Sequence, residues 1–503
     1  MKRALCFIFA AFFVLTPAAA GTPKRGMVVF RFDDNKSPEL WRELHAVFRK
    51  HGFNFSVAAN PLRAQNPEQI KVMQEMVADG NEIMDHTPNH SHMKIIFKTA
   101  DEAKKYESHP GVESRKNNVL YLKTVFNKSY TWNKKLVISI KDNKIVSPDD
   151  TVKKHLHTQN FIVFPDGKIY GVNVKNKEYI ICSAWGDPCR IADGENIEVI
   201  RSDRFGVQTS DDGLRLLAAV SVAMFEKFRL PRPECIVVAG GWGCFPHQTS
   251  LNRIYGKEFG YTCGTAVNYW FGVYDRPDPE NERFAFSCEW NSPENYDLPE
   301  LKKMLSDHIA KNRVVSMISH LWYNRVPGGK DELLKRNDQL LAWLKEKKIP
   351  VMTMSQAAKL LFDGNADRKY NVVPDPENDL DEDGKPDGYE VVENTEFSGK
   401  SISRKSPGTL FMIKKLSGVS AGKNTLSCKV YADPGTKLTL KTAVYKKNFP
   451  AIERKLPVME KFVKSSGEVV SFDLNIPKSS PAVDIELSTS GATRIMSIQM
   501  IAE

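Results

Sequence analysis

The N-terminal third of the chain alternates between short apolar runs and segments with helical periodicity. Residues 27–32 are β-formers apart from Arg31, which predicts a buried strand. Apolar residues then recur at helical spacing: Leu40, Leu44, Val47 and Phe48. Ser37 is placed to cap this helix, Pro38 to occupy its first position and Gly52 to end it.

The same alternation continues along the chain. The predicted strands are 53–58, 80–85, 235–239 and 314–319, and the predicted helices are 67–78 and 211–228. Strands that alternate with helices are typical of an α/β fold, in which the carboxyl ends of parallel strands meet on one edge. Functional residues are therefore expected at the carboxyl ends of these strands.

Acidic and histidine side chains fall at two of these strand ends. Asp33 and Asp34 follow the first strand, and His86 and His90 follow the third. Two histidines four positions apart can share one face of a helical turn, and a carboxylate completes three ligands with an open position for water. The second carboxylate is placed to take a proton from that water. A simple turn at 33–35 and a surface histidine pair are the alternatives.

The sequences FRFDDN, GFNFSVAAN and GNEIMDHTPNH resemble the opening of polysaccharide deacetylases of carbohydrate esterase family four. The likeness is close over about residues 27–92 and looser over about 205–362. It implies a distorted (β/α) barrel over residues 21–365, which removes acetyl groups from sugars with a divalent metal, commonly zinc. Cobalt, nickel and iron would suit the same ligands. The resemblance implies these roles: Asp33 as general base, Asp34, His86 and His90 as metal ligands, and Thr87 in the hydroxyl position.

A later family motif is only partly present. In the family, an arginine orients the catalytic aspartate, and an aromatic-glycine pair supplies a backbone N–H for the oxyanion. Trp242 and Gly243 fit that pair, but residues 238–239 stand near the place of the expected arginine. Arg31, on the same strand face as Asp33, is our hypothesis for the missing charge. An arginine that merely packs beside the barrel is the alternative.

The strand at 314–319 runs into His320, which resembles the family's general acid for the leaving group. A structural histidine at a strand end is the alternative. Trp322 and Tyr323 follow and would suit stacking on a sugar face, or packing at the rim of the site.

Residues 95–205 depart from the family pattern and predict a β-rich insertion between units of the barrel. Its β-like pieces are 119–122, 136–140, 161–164 and 179–182. An insertion after the metal-ligand motif would lie on the catalytic edge and wall a substrate cleft. His155 and His157 within it have no acidic neighbour and are predicted to be surface residues.

An acidic linker is predicted at residues 366–390. Its alternating carboxylates and sharp turn resemble the calcium loops of EF-hands and thrombospondin type-3 repeats: Asp379, Asp381, Asp383, Gly384 and Asp387. A calcium clasp between domains is the prediction, and a solvated acidic turn is the alternative. Alternating strands over residues 391–503 then predict a β-sandwich, either carbohydrate-binding or purely structural.

Composition sets the remaining limits for this chain of 503 residues. Residues 1–20 have the basic start, apolar core and small residues of a signal peptide, so export to the periplasm or outside is expected. No later apolar run is long enough to span a membrane. The net charge of +10 comes from scattered lysines without interleaved aromatics, which argues against nucleic-acid binding.

Seven cysteines follow the predicted leader. Cys182 with Cys189, and Cys244 with Cys263, are plausible disulfide pairs in an oxidising compartment. None has the spacing of a zinc ribbon.

These observations predict a secreted metal-dependent deacetylase acting on N- or O-acetyl groups of a glycan. One alternative is a non-catalytic sugar-binding protein on a degenerate esterase scaffold, motivated by the missing arginine. A related metal-dependent hydrolase of another amide or ester bond is the other.

Overall fold

The structure is a computed structural model that describes most of residues 26–502. Its internal gaps are 65, 131–132, 147–153, 158–159, 204–205, 240–247, 266–272, 275–284, 287–291, 312–313, 364–372, 391, 399–400, 418–421, 446–451 and 478–481. The predicted signal peptide, the Trp242–Gly243 pair and Cys244 lie outside the described residues.

The N-terminal region is built on one nine-stranded, mostly parallel sheet. Its spatial order is Val273–Tyr274, Val314–Ser319, Met27–Asp33, Ser56–Ala59, Glu82–Asp85, Cys235–Val237, Cys263–Thr265 and Ala285–Phe286, with Val351–Met352 also paired to the first strand in sequence. Val273–Tyr274 is the antiparallel member. The two end strands lie within 8 Å at their Cα atoms without pairing among the described residues. A mixed α/β fold is thus present, and closure into a barrel stays a prediction.

Helices cover this sheet, and their ends follow the capping residues seen in the sequence. They are Pro38–His51, Pro67–Ala78, Asp211–Lys227, Leu298–Ala310, Gly329–Glu346 and Met354–Asp363, with shorter turns at Ala100–Lys104, Gln248–Leu251, Asn252–Glu258 and Tyr323–Arg325. Ser37 Oγ accepts a hydrogen bond from the Leu40 N–H, as predicted for a cap. Gly52 ends that helix at φ 74°, a left-handed conformation that costs glycine little. The helix predicted at 67–78 is also confirmed, and it too begins with a side-chain cap and a proline.

The β-rich insertion contains a closed six-stranded barrel of its own. Its strands, in spatial order, are Asn160–Val163, Ile169–Lys175, Glu178–Ser183, Lys144–Ile145, Lys134–Lys141 and Gly194–Ser202. Two smaller sheets join it to the main domain: Lys94–Ile96 with Val119–Leu122 and Val112–Lys116, and Thr124–Phe126 with Val207–Thr209. Three of the barrel strands and one strand of the smaller sheets, Val119–Leu122, were predicted. The sequence analysis missed three barrel strands, because one is only two residues long and the others carry many polar residues.

The C-terminal strands form two antiparallel five-stranded sheets that share one buried apolar cluster. One sheet has the order Thr395–Ser398, Ser401–Arg404, Thr493–Ala502, Gly422–Ala432 and Glu468–Ile476. The other comprises Gly408–Ser417, Ala482–Thr489, Lys437–Tyr445 and Ile452–Lys455, with Met459–Phe462 paired to Lys437–Tyr445. Alternating apolar and polar residues predict strands at 426–431, 437–445, 469–474, 483–487 and 495–500, and a strand is present at each place.

The linker lies against the N-terminal region. The Trp343 indole donates to the Leu380 carbonyl over 3.2 Å, and the Tyr389 hydroxyl donates to the Pro374 carbonyl over 2.7 Å. Among the described helices, none is long and apolar enough to cross a membrane. Cys182 and Cys189 are free thiols on neighbouring chain segments, not a disulfide.

Candidate metal centre

Three side chains from two strand ends meet at one point. The Asp34 carboxylate lies 3.8 Å from His86 Nε2 and 3.5 Å from His90 Nε2. One donor atom from each of the three residues falls within 4.8 Å of the others. One carboxylate oxygen and two imidazole nitrogens are a donor set that suits zinc and neighbouring divalent metals. The predicted ligands are therefore together, at the edge where the sequence placed them.

The His86 ring is oriented as a metal ligand. Its Nδ1 lies 3.0 Å from the Val237 carbonyl. Since a carbonyl only accepts, Nδ1 carries the proton, and the lone pair on Nε2 faces Asp34. That Nε2 atom is buried and has no hydrogen-bond partner in the described part of the chain. Burial lowers the pKa of His86 to about 4, which keeps the ring neutral and able to bind a metal. The residues present thus fit a divalent cation.

The turn that carries the two histidines is not helical. Thr87 and His90 both have φ of 64°, in the left-handed region, so the helical turn expected from their spacing is wrong. The buried Asp85 carboxylate fixes the turn by accepting hydrogen bonds from the Thr87 N–H at 2.8 Å, Ser221 at 2.8 Å and Tyr261 at 3.0 Å. Burial raises the pKa of Asp85 to about 7. Several contacts therefore hold a strained backbone that aims both rings at Asp34.

Two asparagines tie the ligand-bearing loops together. The Asn60 side chain donates to the His86 carbonyl at 2.6 Å and to the Thr87 carbonyl at 3.2 Å. Asn35 brackets the Asn60 backbone, donating to its carbonyl at 3.0 Å and accepting from its N–H at 3.1 Å. Asp34 itself has φ of 70°. The sequence analysis passed over both asparagines, although asparagine directly after a strand end is a usable signal.

Asp33 is held by Arg31 in a buried two-point ion pair. Arg31 Nε donates to Oδ1 at 2.7 Å and Nη2 to Oδ2 at 2.5 Å, with Arg31 fully buried and Asp33 only 3% exposed. Burial by itself raises the pKa of Asp33, but the charges of Arg31, His86 and His320 hold that pKa below its usual range. Asp33 is therefore a carboxylate at neutral pH, oriented beside the metal centre. This contact is what our hypothesis for Arg31 required.

His320 approaches the other carboxylate oxygen of Asp34. Its Nε2 lies 4.0 Å from Asp34 Oδ2. Burial lowers the pKa of His320, while the carboxylates of Asp33 and Asp34 raise it. The predicted general acid thus reaches the same small volume as the predicted base.

The buried Glu294 carboxylate fixes the loop that carries His320. It accepts hydrogen bonds from the His320 N–H at 2.9 Å, the Trp322 N–H at 2.9 Å and the Ser319 hydroxyl at 2.8 Å. The backbone between them is strained, because Leu321 has φ of 51°. The sequence analysis did not find Glu294, since it lies outside the predicted strands and helices and carries no motif.

Residues 20–133 match the family model described as Polysaccharide deacetylase. This match covers the strand ends that carry Asp33, Asp34, His86 and His90. No curated protein matched the sequence.

Solved structures of deacetylase-type proteins are similar to this chain at low identity. A family 4 carbohydrate esterase from Streptomyces lividans in complex with acetate has 10% identity and a TM-score of 0.29, over 66% of this chain and 95% of its own. An acetyl xylan esterase from Clostridium thermocellum with a cobalt ion has 10% identity and a TM-score of 0.29, over 66% and 90%. A carbohydrate esterase family 4 pseudoenzyme from Bacillus anthracis has 9% identity and a TM-score of 0.30, over 68% and 67%.

The remaining predicted site residues of this chain fall into two groups. Trp242 lies outside the described residues, so its role as an oxyanion donor stays a prediction. Trp322 is already stacked on both faces: the His320 ring lies 4.4 Å away at an interplanar angle of 14°, and Arg325 Cζ sits 3.5 Å from the Trp322 centroid. One face of an indole has no room for both, so they occupy opposite faces. Tyr323, 47% exposed, is the more open aromatic.

The linker aspartates form a second carboxylate cluster. Asp379, Asp381 and Asp383 offer oxygens within 4.8 Å of one another. Asp387 does not join them: it is 7% exposed, and its Oδ2 accepts the Leu380 N–H at 2.6 Å. Burial raises the pKa of Asp387 to about 7. Three of the four predicted calcium ligands are therefore brought together.

Proposed function

We propose that this protein is a secreted, metal-dependent polysaccharide deacetylase that hydrolyses N- or O-acetyl groups of a glycan. The convergence of Asp34, His86 and His90 beside the Arg31–Asp33 pair carries the proposal. The match of residues 20–133 to the polysaccharide deacetylase family model supports the reaction class, and the predicted signal peptide supports the location.

In this mechanism Asp34, His86 and His90 hold the cation, with zinc as the first candidate. A bound divalent cation would supply Lewis-acid polarisation of the acetyl carbonyl and lower the pKa of a water molecule. The Asp33 carboxylate takes the proton of the attacking water at one of its oxygens, while Arg31 keeps that carboxylate ionised and aimed. The buried position of Asp33 excludes bulk water from this transfer.

Departure of the sugar requires a proton on its amine or alkoxide oxygen. His320 is the proton donor in our proposal, because its ring lies near Asp34 Oδ2 whereas the two ligand histidines lie near Oδ1. The stack of Trp322 on His320 restricts the rotation of that ring. We assign the Trp242 backbone N–H as the donor to the developing oxyanion, on the resemblance to the family motif.

The two alternatives predict different behaviour of the same residues. A sugar-binding protein without activity would have no need of an ionised, oriented Asp33, and the Arg31 contact supplies the charge whose absence motivated that idea. A hydrolase of another amide or ester bond would use the same groups on a different acyl substrate.

Acetate release by the mature protein with added zinc, measured on a panel of N- and O-acetylated glycans, tests the proposal. We expect release from at least one glycan and a loss of about 10²–10⁴-fold in Asp33→Asn, the usual contribution of a general base. The variant should still bind one metal per chain. A protein that binds metal at that ratio and releases no acetate from any glycan would instead favour the sugar-binding alternative.

The linker and the C-terminal sheets have a separate proposed role. Calcium bound by Asp379, Asp381 and Asp383 would fasten the linker against the N-terminal region, and the two sheets would act as a β-sandwich appendage that holds carbohydrate. The hard oxygen donors of the linker support calcium over zinc.

A further inference from the structure

Two hollows on the surface are lined by neighbours of the metal ligands, and basic side chains line both. One hollow, of about 320 Å³, is lined by Leu62, Arg63, Asn89, Ile96, Phe97 and Lys98. It adjoins the metal centre directly, because Asn89 belongs to the turn between the two ligand histidines. Its lining includes two basic side chains and no acidic one.

The chemistry of this hollow suits an acidic sugar. Ile96, 39% exposed, offers an apolar surface for the C–H face of a pyranose, and the buried Leu62 and Phe97 line the hollow beside it. In the part of the chain that the structure describes, neither Arg63 nor Lys98 makes a side-chain ion pair. By contrast, the nearby Lys94 is paired with Asp187 at 3.1 Å.

The other hollow, of about 540 Å³, lies on the His320 side. Its lining runs from the loop after Asp34 to Tyr323 and Asn324, and includes Lys36 and Lys330. Lys330 is paired with Glu43 at 2.8 Å. Lys36 is partly buried and makes no direct ion pair among the described residues, although its charge also interacts with the carboxylates of Asp33, Asp34 and Glu294. Glu39 is a carboxylate on the same lining and is exposed.

The backbone around Lys36 is held in place. The Lys36 carbonyl accepts a hydrogen bond from Gln69 Nε2 at 2.7 Å, and the next residue, Ser37, caps the following helix. Arg325, stacked on Trp322, adds a second cation at this end with no carboxylate partner among the described residues. Unpaired cations therefore stand on both sides of the metal centre.

We propose that the substrate is an acidic glycan, with carboxylate-bearing sugars bound on either side of the acetylated residue. This inference rests on the proposed deacetylase function and narrows its substrate class. Arg63 and Lys98 bind the carboxylate on one side, and Lys36 binds it on the other. Charge-assisted hydrogen bonds to these groups would then select uronate-containing chains over neutral ones.

A matched pair of substrates tests the proposal. Acetylated polygalacturonate and its methyl ester carry the same acetyl groups but differ in charge, and acetylated xylan is a neutral reference. We expect kcat/KM for acetate release to be about tenfold higher on the charged chain, with the advantage shrinking as salt screens it. Equal rates on charged and neutral chains would overturn the inference and leave the deacetylase intact. Acetate release from none of them would count against the proposed function instead.

Substitutions of the basic residues test which of them produce the preference for the charged chain. Lys36→Met and the double change Arg63→Met with Lys98→Met should each remove most of the preference for the charged chain, measured as the ratio of kcat/KM on acetylated polygalacturonate to that on acetylated xylan. Lys36→Arg should retain the preference. Lys405→Met, a change of the same charge at a side chain 88% exposed in the C-terminal region, is the control and should have no effect. Loss of preference in the control as well would mean that net charge alone is responsible.

Binding supplies a readout independent of turnover. Titration calorimetry with unacetylated polygalacturonate should give a Kd that weakens about tenfold in Lys36→Met. Dextran, a neutral glycan, should not bind. If single-stranded DNA competes as well as polygalacturonate, the surface recognises polyanions without regard to sugar, and the acidic-glycan assignment is wrong.

Discussion

The metal centre and the linker aspartates are both three-residue clusters within 4.8 Å, yet they are built differently. At the metal centre, the ring of His86 is buried, is oriented by a backbone carbonyl and presents a nitrogen with no hydrogen-bond partner among the described residues. In the linker, both oxygens of Asp379 already accept backbone N–H groups, from Asp383 and Gly384 at 3.0 Å each. In the first cluster, a bound cation would give the His86 nitrogen a partner. In the second, part of the carboxylate oxygens already accept hydrogen bonds from the protein. Cluster size alone therefore says little about how tightly a metal is held.

Removal of a ligand should produce the largest effect. His86→Ala takes away a buried ligand nitrogen, so we expect zinc binding to fall below one per chain and acetate release to drop about a thousandfold. Inductively coupled plasma analysis after dialysis measures the metal. His51→Ala, which changes a histidine paired with the remote Asp338, is the matched control. Full zinc occupancy in His86→Ala would show that the ligand trio is assigned incorrectly.

Removal of Arg31 tests the charge beside that trio. Arg31→Met should lower kcat about a hundredfold, because Asp33 loses its orientation, and should cost about 3–5 kcal/mol of stability by leaving a buried carboxylate unpaired. Arg31 lowers the pKa of Asp33, so its loss raises that pKa. Since the base is lost as the pH falls through its pKa, the acid limb of the kcat/KM profile moves to higher pH.

The exposed Arg42, paired with Glu68 at 2.9 Å, provides the control for this change. Arg42→Met should leave the stability close to that of the unaltered protein and the pH profile in place, since exposed ion pairs contribute little. An Arg31→Met protein that is folded, binds zinc and has an unchanged pH profile would reduce Arg31 to a packing residue.

A smaller effect is expected from Glu294, whose carboxylate holds backbone N–H groups as Asp379 does. Glu294→Gln keeps the shape but weakens three hydrogen bonds to the His320 loop, so kcat should fall about tenfold while zinc affinity is unchanged. Steady-state kinetics together with a zinc titration separate the two quantities. Glu300→Gln, at the exposed start of a helix, is the control. A fall in zinc affinity would place the effect at the ligands instead.

The smallest effect should come from the linker. Millimolar calcium should raise the Tm of the full-length protein by about 2–5 °C, since only the folded linker binds it. Asp379→Asn should abolish that shift without changing acetate release, and Asp375→Asn, outside the cluster, should retain it. If calcium does not raise the Tm of the unaltered protein, the linker is a solvated acidic turn.

Local sequence signals predicted much of the main domain. The helix at 38–51 was bounded correctly, because a serine cap, a first-turn proline and a closing glycine each act within a few residues. The ligands were found for a similar reason: they directly follow strands whose direction fixes the edge they reach. The family resemblance assigned their roles.

What the sequence hid depends on contacts between distant residues. Glu294 binds backbone atoms about 26 positions away, with no pattern around it. The closed barrel of the insertion needs a strand of two residues paired to strands on both sides. The left-handed backbone at Thr87 and His90 is imposed by Asp85 and Asn60, so the histidine spacing by itself suggested a helix instead.

The hydrogen bond between His86 and the Val237 carbonyl joins residues 151 positions apart, across the whole insertion. All three ligands leave the ribosome within the first 90 residues, whereas Val237 follows only after the insertion has been made. At about 5–20 residues per second this delay is roughly 8–30 s. A chain interrupted in that interval would hold every ligand but would lack the carbonyl that selects the tautomer of His86. During synthesis, the chain therefore contains all three ligands before it contains the carbonyl that prepares His86 to bind the metal.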